Sequence, residues 1–222
     1  MAVSKSQADK AGAILRRWWQ STEPATDEIQ TAITVVWQYR ALFGYPTTKV
    51  NANLRHYVRK TGAELVTQRW KRLPRMADKL VRHPNMRLSQ MQDVGGCRAI
   101  LPDQNAVNSV LTGLRRNWDI ITVDDYVATP QITGYRAIHV MVRKDNLPVE
   151  VQLRTVGQQD WADEIERIDG LLPGWSLKDG DGPDDVVAYT KLLATVIASQ
   201  EAGHPSDSAT LQELNRLSRL VP

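Results

Sequence analysis

The spacing of apolar residues is helical at both ends of the chain and mixes helical and alternating stretches between about 65 and 169. A first helix is predicted over 8–20, with Ala11, Ile14, Leu15, Trp18 and Trp19 on one stripe, and Pro24 breaks it. A second starts near Thr26, with Asp27 and Glu28 in the first turn, where negative charge suits the helix dipole. Gly44-Tyr45-Pro46 is expected to end it, and a third covers about 49–63 with Leu54, Tyr57 and Val58 inward. The tryptophans of these helices are expected in the core.

Residues 65–71 read as an extended lead-in to a short helix carrying Pro74 in its first turn, where a missing N–H costs nothing. MQDVGGCRAIL, 91–101, reads as a strand approached through Asp93, Gly95 and Gly96. A helix over 103–117, a strand over 118–127 and a loop over 128–134 follow. The stretch from Tyr135 to Arg143, a turn at Asp145-Asn146 and VEVQLRT (149–155) read as a hairpin. In VEVQLRT, Val149, Val151 and Leu153 take one face, and Glu150, Gln152 and Arg154 take the other. Beyond it lie a helix over 157–169, a surface loop over 170–183 and an amphipathic helix from Pro183 to about Gln200. A last helix presents Leu211, Leu214, Leu217 and Leu220 as a docking stripe. The pattern predicts an α/β (α+β) chain with a mixed sheet of about five strands flanked by helices. It suits a single domain over 1–222: N-terminal helices at 1–63, a core at 64–169, and a loop with C-terminal helices at 170–222.

Charge adds an asymmetry that the net value of +3 hides. Residues 1–92 carry 16 Lys and Arg against 6 Asp and Glu, and residues 93–222 carry 12 against 19. A basic first half suits a polyanionic partner, either nucleotide phosphates or RNA. The single cysteine, Cys97, excludes internal disulfides and cysteine-rich zinc sites, and it fits a reducing cytoplasm. No membrane span or signal peptide is expected.

Three polar islands stand at element boundaries: Arg69/Lys71/Arg75/Lys79/Arg82, then Asp93 with Arg98, then Glu150/Gln152/Arg154. Gly134-Tyr135-Arg136 lies between the last two. Two isolated carboxylates among many cations suit a magnesium–nucleotide site, because Mg²⁺ needs one or two carboxylates and takes its other ligands from phosphates and water. The cations would neutralise charge developing in phosphoryl transfer. The chain has no P-loop, kinase glycine loop, serine hydrolase elbow or zinc-spaced histidines. Gly95 and Gly96 permit a close backbone approach or a bulge, and a bulge there could bring together Asp93 and Arg98, which strict alternation puts on opposite faces.

The order Arg69-x-Lys71, Lys79-Leu80, Asp93-x-x-Gly96-x-Arg98, Gly134-Tyr135-Arg136-x-x-His139 and Glu150-x-Gln152-x-Arg154-Thr155 resembles the synthetase domain of RelA/SpoT-type enzymes. Its single-domain form is the small alarmone synthetase, and the resemblance runs over about 65–166. The dressing with Trp161, Ala162 and Glu166 looks most like the toxic subgroup of toxin–antitoxin and phage-defence systems. The resemblance implies a nucleotidyltransferase-like synthetase fold and a pyrophosphokinase that moves the β,γ-pyrophosphate of ATP to a ribose 3′-hydroxyl and releases AMP. It also implies that Arg69, Lys71, Arg75, Lys79, Arg82 and Arg98 bind ATP and that Asp93 and Glu150 hold Mg²⁺. Glu150 is a candidate acceptor of the hydroxyl proton, so Asp93, Glu150 and Arg98 are the expected catalytic set. Tyr135 would stack on the acceptor base, with Gly134, Arg136, His139, Gln152 and Arg154 around it.

The family usually has Ser or Thr where Arg75 stands and a cation where Gln131 stands. Gln131 and the basic half favour the 3′-terminal adenosine (CCA end) of tRNA as acceptor, blocking translation. GDP, GTP or an adenine nucleotide, giving an alarmone, is the alternative acceptor. A catalytically inactive RNA- or partner-binding module is the reading from another class. The family's hydrolase domain is not expected in this chain, which suits a growth-inhibiting toxin restrained by a protein antitoxin.

Overall fold

The computed structural model describes residues 3–62, 65–172 and 174–221. Strands β1 (Leu65–Trp70), β2 (Gly95–Leu101), β3 (Ile120–Asp125), β4 (Ile138–Lys144) and β5 (Leu147–Thr155) form one sheet in the order β1-β2-β5-β4-β3. β2 and β5 run parallel and the other neighbours antiparallel, so the sheet is mixed, as the sequence predicts. The helices are α1 (Lys5–Trp19), α2 (Asp27–Ala41), α3 (Gly44–Val58), α4 (Leu73–Arg82), α5 (Gln104–Asn117), α6 (Val156–Leu171), α7 (Asp184–Glu201) and α8 (Ser208–Ser218). Among the described residues, no helix is long and apolar enough to cross a membrane.

The two sides of the sheet differ because its strands alternate. Cys97, Ala99 and Leu101 of β2, Val149, Val151 and Leu153 of β5, and Val140 and Val142 of β4 bury against Val50, Leu54 and Val58 of α3 and Val107, Val110 and Leu114 of α5. The opposite face keeps the polar set, because Arg98 pairs in register with Gln152, and Gln152 with His139. Two further apolar clusters flank that face. One joins α1, α2 and α4 around Leu15, Val36, Phe43, Met76 and Leu80. The other joins α6, α7 and α8 around Trp161, Ile165, Ile168 and Leu217.

Local chemistry accounts for the connections. Asp145 and Asn146 take φ values of 50° and 62°, the left-handed pair that a tight β4–β5 hairpin requires. Thr155 ends β5 and caps α6: its hydroxyl accepts from the Gln158 amide while the Gln158 side chain returns to the Thr155 amide. This reciprocal cap turns the chain sharply from the polar strand into α6.

Several expectations are corrected. Gly44-Tyr45-Pro46 does not lie between helices but opens α3, where Pro46 falls in the first turn and its missing N–H has no helical partner to lose. The predicted end of that helix at residue 63 lies outside the described residues. No bulge forms at Gly95-Gly96, because both pair in register with Trp70 and Arg69. The 170–183 segment is not wholly superficial, since Leu177 is buried in the C-terminal cluster. Of the N-terminal tryptophans, Trp18 packs half-buried against the N-terminal cluster, but Trp37 is 43 % exposed and Trp19 36 %. Of the C-terminal leucines, Leu217 docks while Leu211 and Leu220 stay exposed.

Candidate active site

Asp93 lies in the connection just before β2, so its direction is set by the loop and not by strand alternation. The Lys71 amide donates to the Val94 carbonyl at 3.0 Å, which ties this connection to the end of β1. The Asp93 carboxylate accepts from Lys71 Nζ and Lys79 Nζ, each at 2.8 Å, one oxygen apiece. Burial alone would raise its pKa. The two ammonium groups outweigh that and hold it down, at about 2. Lys71 is pulled below the usual lysine range, first by burial and then by the neighbouring Lys79 and Arg69 charges, against the attraction of Asp93.

Glu150 sits at the centre of the polar face. Its Oε2 accepts from Gln152 Nε2 at 2.8 Å, and Oε1 lies 3.1 Å from His139 Nδ1. Arg69 on β1 approaches to 3.7 Å. Burial opposes ionisation, but His139 and Arg69 outweigh it despite repulsion from Asp93, and the pKa falls below the ordinary glutamate value. Gly96 is paired with Glu150, and a Cβ there would stand 2.9 Å from the Glu150 carbonyl oxygen, so β2 and β5 approach this closely only without a side chain.

The network continues along β5. Arg98 Nε donates to Gln152 Oε1 at 3.3 Å. Burial, then Arg154 and Arg69, press the Arg98 pKa down to about 10. A half-buried guanidinium crowded by two others is a site that an anion would stabilise. Arg154 donates to Tyr135 Oη at 2.8 Å and to Gln159 Oε1 at 3.0 Å. Tyr135 Oη lies 2.6 Å from His139 Nε2.

The predicted site residues therefore divide. Arg69, Lys71, Lys79, Asp93, Arg98, His139, Glu150, Gln152 and Arg154 converge on one face. Arg75 does not: it is exposed and approaches Asp78 at 3.8 Å. Arg82 also turns away and pairs with Asp179 of the 170–183 segment at 3.0 Å. The Tyr135 ring is packed edge-on against Tyr126 and His139, tilted against Trp161, with Arg154 over it at 5.2 Å. In this arrangement its hydroxyl, between Arg154 and His139, braces the network. Gly134 has a packing role: its φ is +91°, and a Cβ there would stand 2.5 Å from Ala194 Cβ on α7. Arg136 is half-buried just before β4, and Gln131 is exposed in the preceding loop.

Sequence reasoning missed Arg40. Its guanidinium lies between the rings of Trp37 (4.8 Å) and Trp70 (5.4 Å), and Nε donates to the Lys71 carbonyl at 3.0 Å. Lys71 is thus clamped on both sides of its peptide. The signal was the i, i+3 pair Trp37-x-x-Arg40 on one helix face. Gln159 was missed as well, although the spacing from Arg154 across the Thr155 cap brings it within reach.

Residues 68–167 match a family described as a region found in RelA / SpoT proteins. The GTP pyrophosphokinase YwaC of Bacillus subtilis is 28% identical over 88 residues, 35% of this chain and 42% of that protein. A GTP pyrophosphokinase of Haemophilus influenzae is 42% identical over 72 residues, 32% of this chain and 9% of that protein. The chain spans less than half the length of these two relatives. Among solved structures, small alarmone synthetase 2 of B. subtilis superposes with a TM-score of 0.65 at 19% identity, covering 76% of this chain and 95% of that one. Small alarmone synthetase 1 of B. subtilis bound to its product pppGpp gives 0.66 at 19%, covering 75% and 93%. The chain has the fold of these two structures.

Proposed function

Proceeding from a RelA/SpoT-type region at residues 68–167 within a small alarmone synthetase fold, we propose that the protein is an ATP-dependent pyrophosphokinase. The observation that carries this reading is the pairing of Asp93 and Glu150, two ionised carboxylates that repel each other within a ring of Lys71, Lys79, Arg69 and Arg98. In the proposed reaction a ribose 3′-oxygen attacks the β-phosphorus of ATP. The bond from that phosphorus to the α,β-bridging oxygen breaks, AMP departs with the oxygen, and the hydroxyl proton leaves to a base.

Glu150 is the group suited to take that proton. It is held ionised and oriented by Gln152 and His139. Lys71, Lys79, Arg69 and Arg98 supply the positive charge that the donor phosphates need, in a partly desolvated setting where each is worth more than in water. The donor set also fits Mg²⁺, a hard cation satisfied by carboxylate oxygens plus phosphate and water. Asp93 and Glu150 would hold it, and it would neutralise the β- and γ-phosphates. Both Asp93 oxygens are engaged by lysines, so Asp93 would be open to the ion only with those ammonium groups turned toward the ATP phosphates.

A guanine nucleotide is the acceptor that the comparisons support, since the relatives bear the name GTP pyrophosphokinase and one structural neighbour carries pppGpp. A second acceptor, the 3′-terminal adenosine of tRNA, is favoured by the exposed Gln131 and by the exposed Arg72 and Arg75 beside the site. Growth inhibition relieved by a protein antitoxin goes with that second reading.

The test is incubation with γ-labelled ATP, Mg²⁺ and either GDP, GTP or tRNA. Label on the guanine nucleotide is expected, and Glu150→Gln should abolish it. Label on tRNA alone establishes the second reading, and label on neither acceptor overturns the enzyme reading.

A further inference from the structure

A second concave site lies on the other side of the sheet, away from Asp93 and Glu150. It opens between the C-terminal half of α3, the α5–β3 turn and the end of β4, with a volume of about 410 Å³. That is within the range of small-molecule sites, about 300–1,000 Å³, and near its lower end. Val50 and Val142, both buried, form an apolar floor. Tyr57 and Trp118 form an aromatic corner, their rings edge-to-face with centroids 5.7 Å apart. The Tyr57 ring lies where a side chain on residue 113 would otherwise be, since a Cβ on Gly113 would stand 2.8 Å from it. A glycine inside α5, a poor helix residue, thus leaves the space that this aromatic wall fills.

The rim supplies the polar groups. Asn53 and His56 are exposed on α3, and among the described residues their side chains have no hydrogen-bond partner. Asn117 donates its amide N–H to the Gly113 carbonyl and keeps its own carbonyl oxygen free to accept. Arg143 pairs with Asp119 at 3.4 Å, whereas among the described residues Lys144 has no carboxylate partner. The cleft therefore joins an aromatic wall, amide and imidazole edges with both donors and acceptors, and a surplus cation. An apolar peptide would leave the rim groups unanswered, and a simple anion would leave the aromatic wall bare. A nucleobase answers the wall and the amides, and one phosphate answers Lys144 and His56.

We infer that this cleft is a second ligand site, distinct from the catalytic face, for a purine or pyrimidine mononucleotide. The site does not depend on the pyrophosphokinase reading. One half of its floor, Val142, belongs to β4, the strand that also carries His139, so an occupant would rest on the back of the strand that orients Glu150.

The test uses the full chain and follows the Trp118 indole N–H resonance, assigned by its loss in Trp118→Phe, during titration with AMP and with GMP. Saturable displacement of that resonance is expected in the unaltered protein and equally in Arg98→Ala, which disables the catalytic face. Lys144→Glu should weaken the binding at least about tenfold, and His56→Ala, at an exposed position, provides a second variant that leaves the core intact. No saturable displacement overturns the inference. So does a displacement lost in Arg98→Ala but indifferent to Lys144→Glu and His56→Ala, which would assign the effect to the front of the sheet. Failure of pyrophosphate transfer would leave the displacement untouched, so the two readings fail separately.

Discussion

Tyr135 Oη and His139 Nε2 lie 2.6 Å apart, and Glu150, on the other side of the imidazole, decides which of the two donates. An ionised carboxylate only accepts, so in the neutral imidazole Glu150 draws the ring proton to its own side, and His139 Nε2 accepts from the Tyr135 hydroxyl, whose oxygen accepts from Arg154. The imidazole proton then belongs on Nδ1, facing Glu150 Oε1 at 3.1 Å. Arg154, Tyr135, His139 and Glu150 thus form a one-way chain of donors ending on the proposed base, and Tyr135 acts in it through its hydroxyl.

Tyr135→Phe keeps the ring packed against Trp161 and Tyr126 but leaves His139 Nε2 without its donor and breaks the chain to Arg154. Turnover should fall about ten- to a hundredfold, the equivalent of roughly 1–3 kcal/mol for an unmade hydrogen bond in a dry site. The KM for the acceptor should change little. Steady-state transfer assays read both values. A large KM increase with unchanged turnover would instead mean that the ring stacks on the acceptor base.

Asp93 ties the site to stability. Its pKa falls from 3.8 to about 2 in the folded chain because Lys71 and Lys79 outweigh burial. A depressed carboxylate pKa contributes stability above its unfolded value and loses it as pH drops through its folded value. The shift corresponds to about 2 kcal/mol, present above pH 4 and gone below about pH 2. Asp93→Asn should cost about 3–5 kcal/mol at pH 7, since it leaves two part-buried ammonium groups uncompensated. Denaturant unfolding across this range should show the difference between the two proteins narrowing toward pH 2. A constant difference would refute the electrostatic account.

The five strands were legible because alternation survives wherever one face is apolar, as Val149, Val151 and Leu153 show against Glu150, Gln152 and Arg154. The parallel register that pairs Arg98 with Gln152 was not legible, because it depends on α5 carrying the chain away from β2 before it returns through β3 and β4. Asp93 misled the strand argument: it belongs to a loop, where direction follows from the Lys71–Val94 hydrogen bond between distant residues. Arg75 and Arg82 looked equivalent to Lys79 in sequence, yet the turn of α4 sends only Lys79 toward Asp93. Pro46 illustrates the ambiguity of proline, which ends one helix or opens the next according to a position that spacing alone does not reveal.

Arg40 is expected to matter although it touches neither carboxylate. Arg40→Ala removes the donor to the Lys71 carbonyl and the cation between Trp37 and Trp70, interactions worth about 0.5–2 kcal/mol each. The KM for ATP should rise about tenfold, with a smaller fall in turnover. Arg40→Lys should not rescue it, because an ammonium lacks the planar stack and the fixed Nε–H. Full rescue by lysine would reduce the role to charge alone.

Gly134 separates a packing role from an acceptor-binding one. Gly134→Ala has two costs: a φ of +91°, which an L side chain rarely adopts, and a Cβ 2.5 Å from Ala194 Cβ. The left-handed backbone alone should cost about 1–3 kcal/mol, and the overlap adds to it by forcing the loop off α7. Ala194→Gly in the same chain removes the overlap but leaves the backbone strain, so the double variant should recover only part of the lost thermal stability. Activity should track that stability, because the loop positions Tyr135, and Tyr135 fixes His139. If the double variant regained its melting temperature yet stayed inactive, Gly134 would be contacting the acceptor itself.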